Sequence, residues 1–206
     1  MIGAPTRILL IRHGHHDPQG RFLQHECTGL DDLGRAQADR LARRLAATSD
    51  LIDLVLASRA ARAHQTATVV AEALGSPEPD RTCDLCEMHP GAAEGLTYPD
   101  MAERFGPNYR SVPGAEYFPD WLPGAVARLR SLADRASGRA AALITHSGVI
   151  KASFAAFGRM DEPSAEAVVA DNTAITEWSR STDPDDPRSK VWSLVRHNDT
   201  AHLLTR

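Results

Sequence analysis

The sequence predicts an α/β protein wound around a mostly parallel sheet, and three observations carry that reading. Four consecutive apolar residues, Ile8-Leu9-Leu10-Ile11, read as a strand buried on both faces, and the run stops abruptly at Arg12-His13-Gly14. Two more apolar runs end the same way: Leu54 to Ala57 runs into Ser58-Arg59, and Ala141 to Ile144 runs into Thr145-His146-Ser147-Gly148. Helical periodicity lies between these runs, and strand-helix-strand-helix order implies right-handed crossovers and parallel pairing. Open sheets of this kind hold ligands at the carboxyl ends of their strands. All three strand ends here carry a cationic or titratable residue.

At 206 residues the chain is long enough for one full-sized core and short for two, so a single domain over 1–206 is expected. Hydrophobic residues make up 42% and charged residues 24%, close to a globular average, which disfavours disorder. The longest strongly apolar run is the four residues after Arg7, too short for a membrane span or a signal-peptide core, so a cytoplasmic protein without membrane contact is expected. The formal charge of -4 argues against nucleic acid as a partner. Cys27, Cys83 and Cys86 form no disulfide framework. Cys83-x-x-Cys86 could be half of a zinc site or a redox pair, but His89 supplies at most one further ligand nearby, and both cysteines are read as small packing residues.

Along the chain, His15-His16-Asp17-Pro18 opens a polar loop that runs to Gly29 and rims the strand end. Asp31 or Asp32 can cap the next helix, whose stripe is Leu33, Gln37, Leu41 and Leu45, with Ala38 and Ala42 beside it. Leu51 to Ala57 gives the second strand. A helix from about Arg59 to Leu74 follows and stops at Gly75. Arg59 and Arg62 sit at its start, where the helix dipole disfavours cations, so an arginine there suggests an anion close by. Arg59 is taken as that residue and Arg62 as solvated. A short strand ending at Cys86-Glu87 leads into a loop holding Glu87 and Glu94, of which Glu87, directly after the strand, is favoured for a site. Then comes a helix around Tyr98 to Phe105. A segment at about 106–124, rich in proline, glycine and aromatics, is expected to contain no regular element and to act either as a substrate-selecting cap or as a surface crossing. A helix from Ala125 to Ala136, the strand to Thr145, and a helix opening at Ser147 follow. The tail offers two strands, Ala174 to Ser179 and Lys190 to Arg196, joined as an edge hairpin by the loop Thr182 to Arg188. For the tail residues Asn198 to His202, pattern alone does not separate a site role from a structural one.

Gathered at one sheet edge, Arg12, His13, Arg59 and His146, with Glu87 nearby, form a cationic group suited to a phosphate dianion. One histidine can attack phosphorus as the neutral imidazole, which adjacent guanidinium groups favour. The other can stabilise the transferring group, while a carboxyl group protonates the leaving oxygen. The cluster His13, His15, His16 and Asp17 also admits a metallohydrolase reading.

These residues resemble the histidine phosphatase superfamily, also called phosphoglycerate-mutase-like. Leu9-Leu10-Ile11-Arg12-His13-Gly14 matches its signature, Leu30 to Ala38 (LDDLGRAQA) its second motif, and Ala57 to Ala67 (ASRAARAHQTA) its Ser-x-x-x-Arg-Ala-x-Gln-Thr-Ala segment. Glu87 to Gly95 and Leu143 to Gly148 match its later segments, in family order. The resemblance implies a three-layer α/β/α sandwich, no metal and no cofactor, and a phosphohistidine formed on His13. It further implies that Arg12 and Arg59 bind the phosphoryl group, that His146 completes the pocket, and that Glu87 donates the proton.

Two departures bear on the leaving group. His15 and His16 stand where many members have Glu or Gln and Thr, and Gln19 where a phosphate-binding Asn is common. Ala93 replaces the usual Trp. His15 and Gln19 are therefore candidate substrate contacts, with His89 a further one. The expected function is hydrolysis of a small phosphorylated metabolite. The alternatives are a phosphoglycerate-mutase-type phosphoryl transfer, for which Asn-Glu-Arg-His-Tyr-Gly is absent around Glu87, and a non-catalytic phosphate-binding module. Oligomeric state is left open, a homodimer included.

Overall fold

The computed structural model describes residues 4–24, 26–48, 52–182 and 189–204. Its centre is a six-stranded sheet made of β1 (Thr6–Arg12), β2 (Leu54–Ser58), β3 (Asp80–Thr82), β4 (Ala140–Thr145), β5 (Ile175–Thr182) and β6 (Lys190–Asp199), in the order β3-β2-β4-β1-β5-β6. The first four pair in parallel, and β5 and β6 run antiparallel as an edge hairpin. Residues 183–188 of the expected hairpin loop, and Leu51 of the expected second strand, lie outside the described residues.

The central strands are apolar on both faces because both faces are covered. Ile8 and Leu10 of β1, with Ala141 and Leu143 of β4, pack against α4 (Phe118–Arg135) and α5 (Ser147–Gly158). Leu9 and Ile11, with Ala142 and Ile144, face α1 (Asp32–Ala47) and α2 (Ala61–Leu74) on the other side. This is the three-layer α/β/α arrangement. A third, smaller cluster of Ala93, Met101 and Val112, with Phe22 and Tyr109 packed against it, holds α3 (Tyr98–Phe105) and the 91–117 segment together beside the strand ends. A one-turn helix, α6 (Glu162–Glu166), follows α5.

Two helical expectations need correction. In α1 the cap is Asp31, whose side chain accepts from the Gly34 N–H, but Leu33 is 55% exposed and the buried stripe runs Gly34, Ala38, Leu41, Ala42 and Leu45. Gly34 takes the inward place because the first turn of α1 lies against the strand-end loop, where a Cβ would come within van der Waals overlap of the His15 carbonyl oxygen. The stretch expected to be irregular up to residue 124 is helical from Phe118. Pro119 stands in the first turn, where no backbone donor is required, and Pro123 forfeits one hydrogen bond. Burial of Phe118, Trp121, Leu122, Ala125, Leu129 and Leu132 on one face compensates for that loss. Cys83 and Cys86 are free thiols whose sulfurs lie 2.9 Å apart, Cys83 exposed and Cys86 buried.

Gly34→Ala is expected to destabilise the protein by about 1–3 kcal/mol, the usual cost of overpacking, while Leu33→Lys leaves stability within about 0.5 kcal/mol. Urea melts of the two variants beside the wild type check this.

Candidate active site

β1 and β4 are neighbours in register, with Arg12 beside Thr145, so the residues that follow them, His13 and His146, emerge side by side. Their rings meet edge to face with centroids 5.0 Å apart. Both are almost wholly buried, at 4% and 1% exposure.

Between them lies Arg62, not Arg59. The Arg62 Nε–H donates to His13 Nε2 at 3.0 Å, and one terminal nitrogen donates to His146 Nδ1 at 3.1 Å. The guanidinium also donates to the Leu23 carbonyl and to Gln24 Oε1. Arg62 is 4% exposed, which corrects the expectation that it is solvated. Arg59 is exposed, and its charge acts near Cys83 instead. The physical reason is helix phase. Arg59 precedes the first turn of α2 and points off the edge, whereas Arg62, one residue into the helix, faces back across the strand ends. The Ser-x-x-x-Arg-Ala-x-Gln-Thr-Ala pattern starting at Ser58 puts its arginine at 62, and that was the signal available in the sequence.

Since arginine only donates, its bonds fix both histidine tautomers. His13 Nδ1–H donates to the Gly14 carbonyl at 2.8 Å, so the lone pair is on Nε2. His146 Nδ1 accepts from Arg62, so its Nε2–H donates to Ser58 Oγ at 2.8 Å, and the serine hydroxyl points on to the Cys86 sulfur. Burial first, and then the neighbouring charges, hold both imidazoles well below the ordinary histidine pKa: Arg62 adds most for His13, and His13 with Arg62 for His146. His16 stacks at a tilt 5.5 Å from His13 and is pulled down to about 4 by burial and by Arg62. His16 and Gln24 are the pocket residues, besides Arg62, that the sequence reading did not place.

Arg12 donates to the Ala170 carbonyl at 2.7 Å, while its Nε is buried without a partner, as is Gln24 Nε2. Burial lowers the Arg12 pKa, and Glu87 and Asp171 act against it. Glu87 closes the other side. Its Oε2 accepts from the Gly148 N–H at 2.9 Å, at the start of α5, and Oε1 accepts from its neighbour's N–H. Any Cβ at Gly148 would collide with that carboxylate. Glu94 turns away and accepts from the Gln24 and Glu26 N–H groups, fixing the loop that carries Gln24.

Two expected contacts do not reach the pocket. His15 bonds through Nδ1 to Asp31 at 2.5 Å, drawn to the cap of α1, and Gln19 is exposed, its N–H tied to Asp17. The His13, His15, His16 and Asp17 cluster therefore diverges. Among the described residues no three His, Cys, Asp or Glu side chains are arranged to hold a metal ion. His89 meets Glu116 through its backbone N–H and lines a neighbouring hollow. The tail residues buttress the site from behind: Asp199 pairs with Arg44, and His202 bonds the Thr173 hydroxyl next to Asn172, whose amide donates to the His13 carbonyl.

A sequence profile described as Histidine phosphatase superfamily (branch 1) matches residues 8–200. The chain belongs to that superfamily. Within it, the chain is 30% identical over 212 residues to phosphoglycerate mutase-like protein 4 of Arabidopsis thaliana, covering 97% of this chain and 90% of the relative. It is 29% identical over 159 residues to a metal-independent phosphoserine phosphatase of the same plant, covering 71% and 66%. The fold of this superfamily member superimposes on a mycobacterial glucosyl-3-phosphoglycerate phosphatase with a TM-score of 0.75 at 26% identity, covering 94% of this chain and 99% of the other.

Six histidines, His13, His16, His64, His146, His197 and His202, have pKa values below the ordinary 6.5 in the folded protein. In the unfolded chain they titrate near 6.5, so below that pH the unfolded state binds more protons and stability falls as pH drops from 6.5 toward 4. The melting temperature is expected to fall over that window and to be insensitive to histidine titration above pH 7.5. Calorimetry at pH 5.5 in buffers of different ionisation enthalpy should register proton uptake on unfolding.

Proposed function

We propose that the protein is a phosphomonoesterase that works through a phosphohistidine on His13 and hydrolyses a small phosphorylated metabolite. The observation that carries this reading is the buried Arg62 guanidinium, which has no carboxylate among its hydrogen-bond partners in the described residues. A buried cation satisfied only by neutral acceptors, beside a second arginine with an unpaired buried N–H, calls for an anion from outside. The phosphatase names of relatives within the superfamily point the same way.

The chemistry follows from the donor set. Arg62 and Arg12 take phosphoryl oxygens, and the incoming oxygen replaces His13 Nε2 as the acceptor of the Arg62 Nε–H. That frees the lone pair for in-line attack on phosphorus. The P–N bond forms as the P–O bond to the leaving group breaks, and the positive charge on His13 is stabilised by the Gly14 carbonyl at Nδ1–H. His16 and His146 flank the transferring group. Glu87, on the side facing the cavity, gives its proton to the leaving oxygen, then takes one from the water that attacks the phosphohistidine. Phosphoryl transfer to a second hydroxyl, as a mutase performs, would need that acceptor held where water enters.

Turnover of phosphomonoesters is expected to persist in EDTA and to vanish in His13→Ala. A rapid quench into base should recover a phosphoenzyme labile in acid. Arg62→Ala is expected to lower kcat/KM by about 10³-fold or more, and Arg59→Ala by less than about twofold, in line with the loss of one preorganised charge contact against none. For Glu87→Gln, kcat/KM, which reports the phosphorylation step, should fall by about 10²- to 10³-fold for alkyl phosphates and little for 4-nitrophenyl phosphate, whose leaving group needs no proton, while the later hydrolysis of the phosphohistidine slows for both. Equal losses for both ester types would remove Glu87 from the proton-donor role.

A further inference from the structure

The phosphoryl end of the site opens into a cavity of about 390 Å³ whose lining includes Arg62 and Glu87 at the inner end. Its outer wall is aromatic. Phe22 and Tyr109 stack with centroids 5.4 Å apart, Tyr117 meets Tyr109 edge to face at 5.5 Å, and Phe118 continues the wall, with Leu23, Met88 and Pro90 completing the apolar lining.

The charged lining is acidic. Glu116 and Glu166 join Glu87 there, and among the described lining residues Arg62 is the one cation, already directed at the phosphoryl position by its bonds to both histidines. Glu116 is held in place, one carboxylate oxygen accepting the His89 N–H at 2.8 Å. Arg110 and Lys151 stand close by without lining the cavity: Arg110 lies over the Tyr117 ring at 4.5 Å and pairs with Asp120 at 3.6 Å, and Lys151 donates to the Glu166 backbone carbonyl at 2.6 Å. A carboxylate or second phosphate on the leaving group would therefore enter a partly desolvated space beside two glutamates, with no further cation to meet it among the described lining residues, which is costly. A flat or apolar body would instead stack on the aromatic wall, and a positive group would gain from the glutamates and the ring faces.

Resting on the phosphatase reading above, we propose that the substrate is a phosphomonoester whose leaving alcohol bears a ring or comparable apolar body and is uncharged or cationic, without a second anionic group. The substrate thus differs in charge from phosphoserine and glucosyl-3-phosphoglycerate, the compounds in the names of two relatives, each of which carries a carboxylate.

Four esters with the same kind of primary alkyl leaving oxygen separate ring from charge: ethyl phosphate, 2-phenylethyl phosphate, and the latter with a para-aminomethyl or a para-carboxymethyl group. Adding the ring to ethyl phosphate is expected to raise kcat/KM by about tenfold or more, the scale of burying a phenyl group. The carboxymethyl ester should fall at least about tenfold below the aminomethyl ester. Glu116→Gln should shrink the charge ratio while keeping the ring preference, and Tyr109→Ala should shrink the ring preference while keeping the charge ratio. A carboxymethyl ester turned over as well as the aminomethyl one, or ethyl phosphate as well as phenylethyl phosphate, would overturn the proposal. Turnover of none of the four would count against the phosphatase reading itself. Titration calorimetry with the same esters then tests the cavity separately, and equal dissociation constants across the set would overturn the proposal on that arm.

Discussion

A guanidinium buried between two imidazoles is the constraint around which this protein is built. Removing Arg62 from water costs several kcal/mol, and hydrogen bonds to a carbonyl, an amide oxygen and two imidazole nitrogens offset only part of that, since none of these acceptors carries a charge. Burial first, and then that positive charge, hold His13 and His146 in the neutral form, in which His146 both accepts from Arg62 and donates to Ser58. On the proposed phosphatase reading, this electrostatic discomfort in the free protein is the source of both anion affinity and nucleophile activation. A carboxylate placed beside Arg62 would relieve the first and abolish the second.

Such a group stays in place only if the backbone under it cannot relax. The strand-end residues are fixed from several elements at once. Thr66 of α2 accepts the Gly14 N–H, Gln37 of α1 accepts the His15 N–H, and Asn172 donates to the His13 carbonyl. Gln65, one residue before Thr66, accepts the Leu30 N–H and so ties the loop ahead of α1 to α2. The side chains of the glutamines and of Thr66 in the sequence motifs act on backbone groups around the site. This separates their work from that of the residues facing the pocket. The same applies to His15, whose bond to the α1 cap helps hold the loop that His16 needs in order to stand beside His13.

Strand-ending residues were legible because a parallel sheet leaves little choice: a strand apolar on both faces must deliver its next residue to the carboxyl edge, and Arg12, His13 and His146 are found there. Placement on a helix was less legible. Arg59 and Arg62 differ by three residues and both lie near a helix start, so the choice between them turns on where the first turn begins, and that boundary follows the bend at Arg59-Ala60, with Ala60 the residue before the first turn. The departures at His15 and Gln19 misled for a related reason. A loop without periodicity gives no rule for which side chains turn inward, and the inward ones are His16, beside His13, and Gln24, which Glu94 holds by its backbone N–H from 70 residues away. The start of α4 was obscured by Pro119 and Pro123, although the spacing of Phe118, Trp121, Leu122 and Ala125 is helical.

These differences in legibility follow a division within the site. Its phosphoryl end is made by strand termini and the first turns of α2 and α5, where one charge arrangement suits every phosphomonoester. Its outer end is made by the 22–24 loop, the turns after Glu87, and the segment running into α4, with Phe22 and Tyr109 held by the small cluster around Met101 and Val112 and Met88 and Phe118 anchored in the main core. Substitutions at Tyr109, Glu116 or Tyr117 alter the wall of the cavity without touching the register of β1 on β4 or a partner of Arg62, whereas the 22–24 loop, whose Leu23 carbonyl and Gln24 side chain accept from Arg62, belongs to both ends. The chemistry can therefore stay constant while the leaving group changes, and the motifs in the sequence report the former. On the proposed reading, the acidic and aromatic character of the outer end is where this chain's own specificity is written, because those side chains would meet the part of the substrate that the phosphoryl machinery never touches.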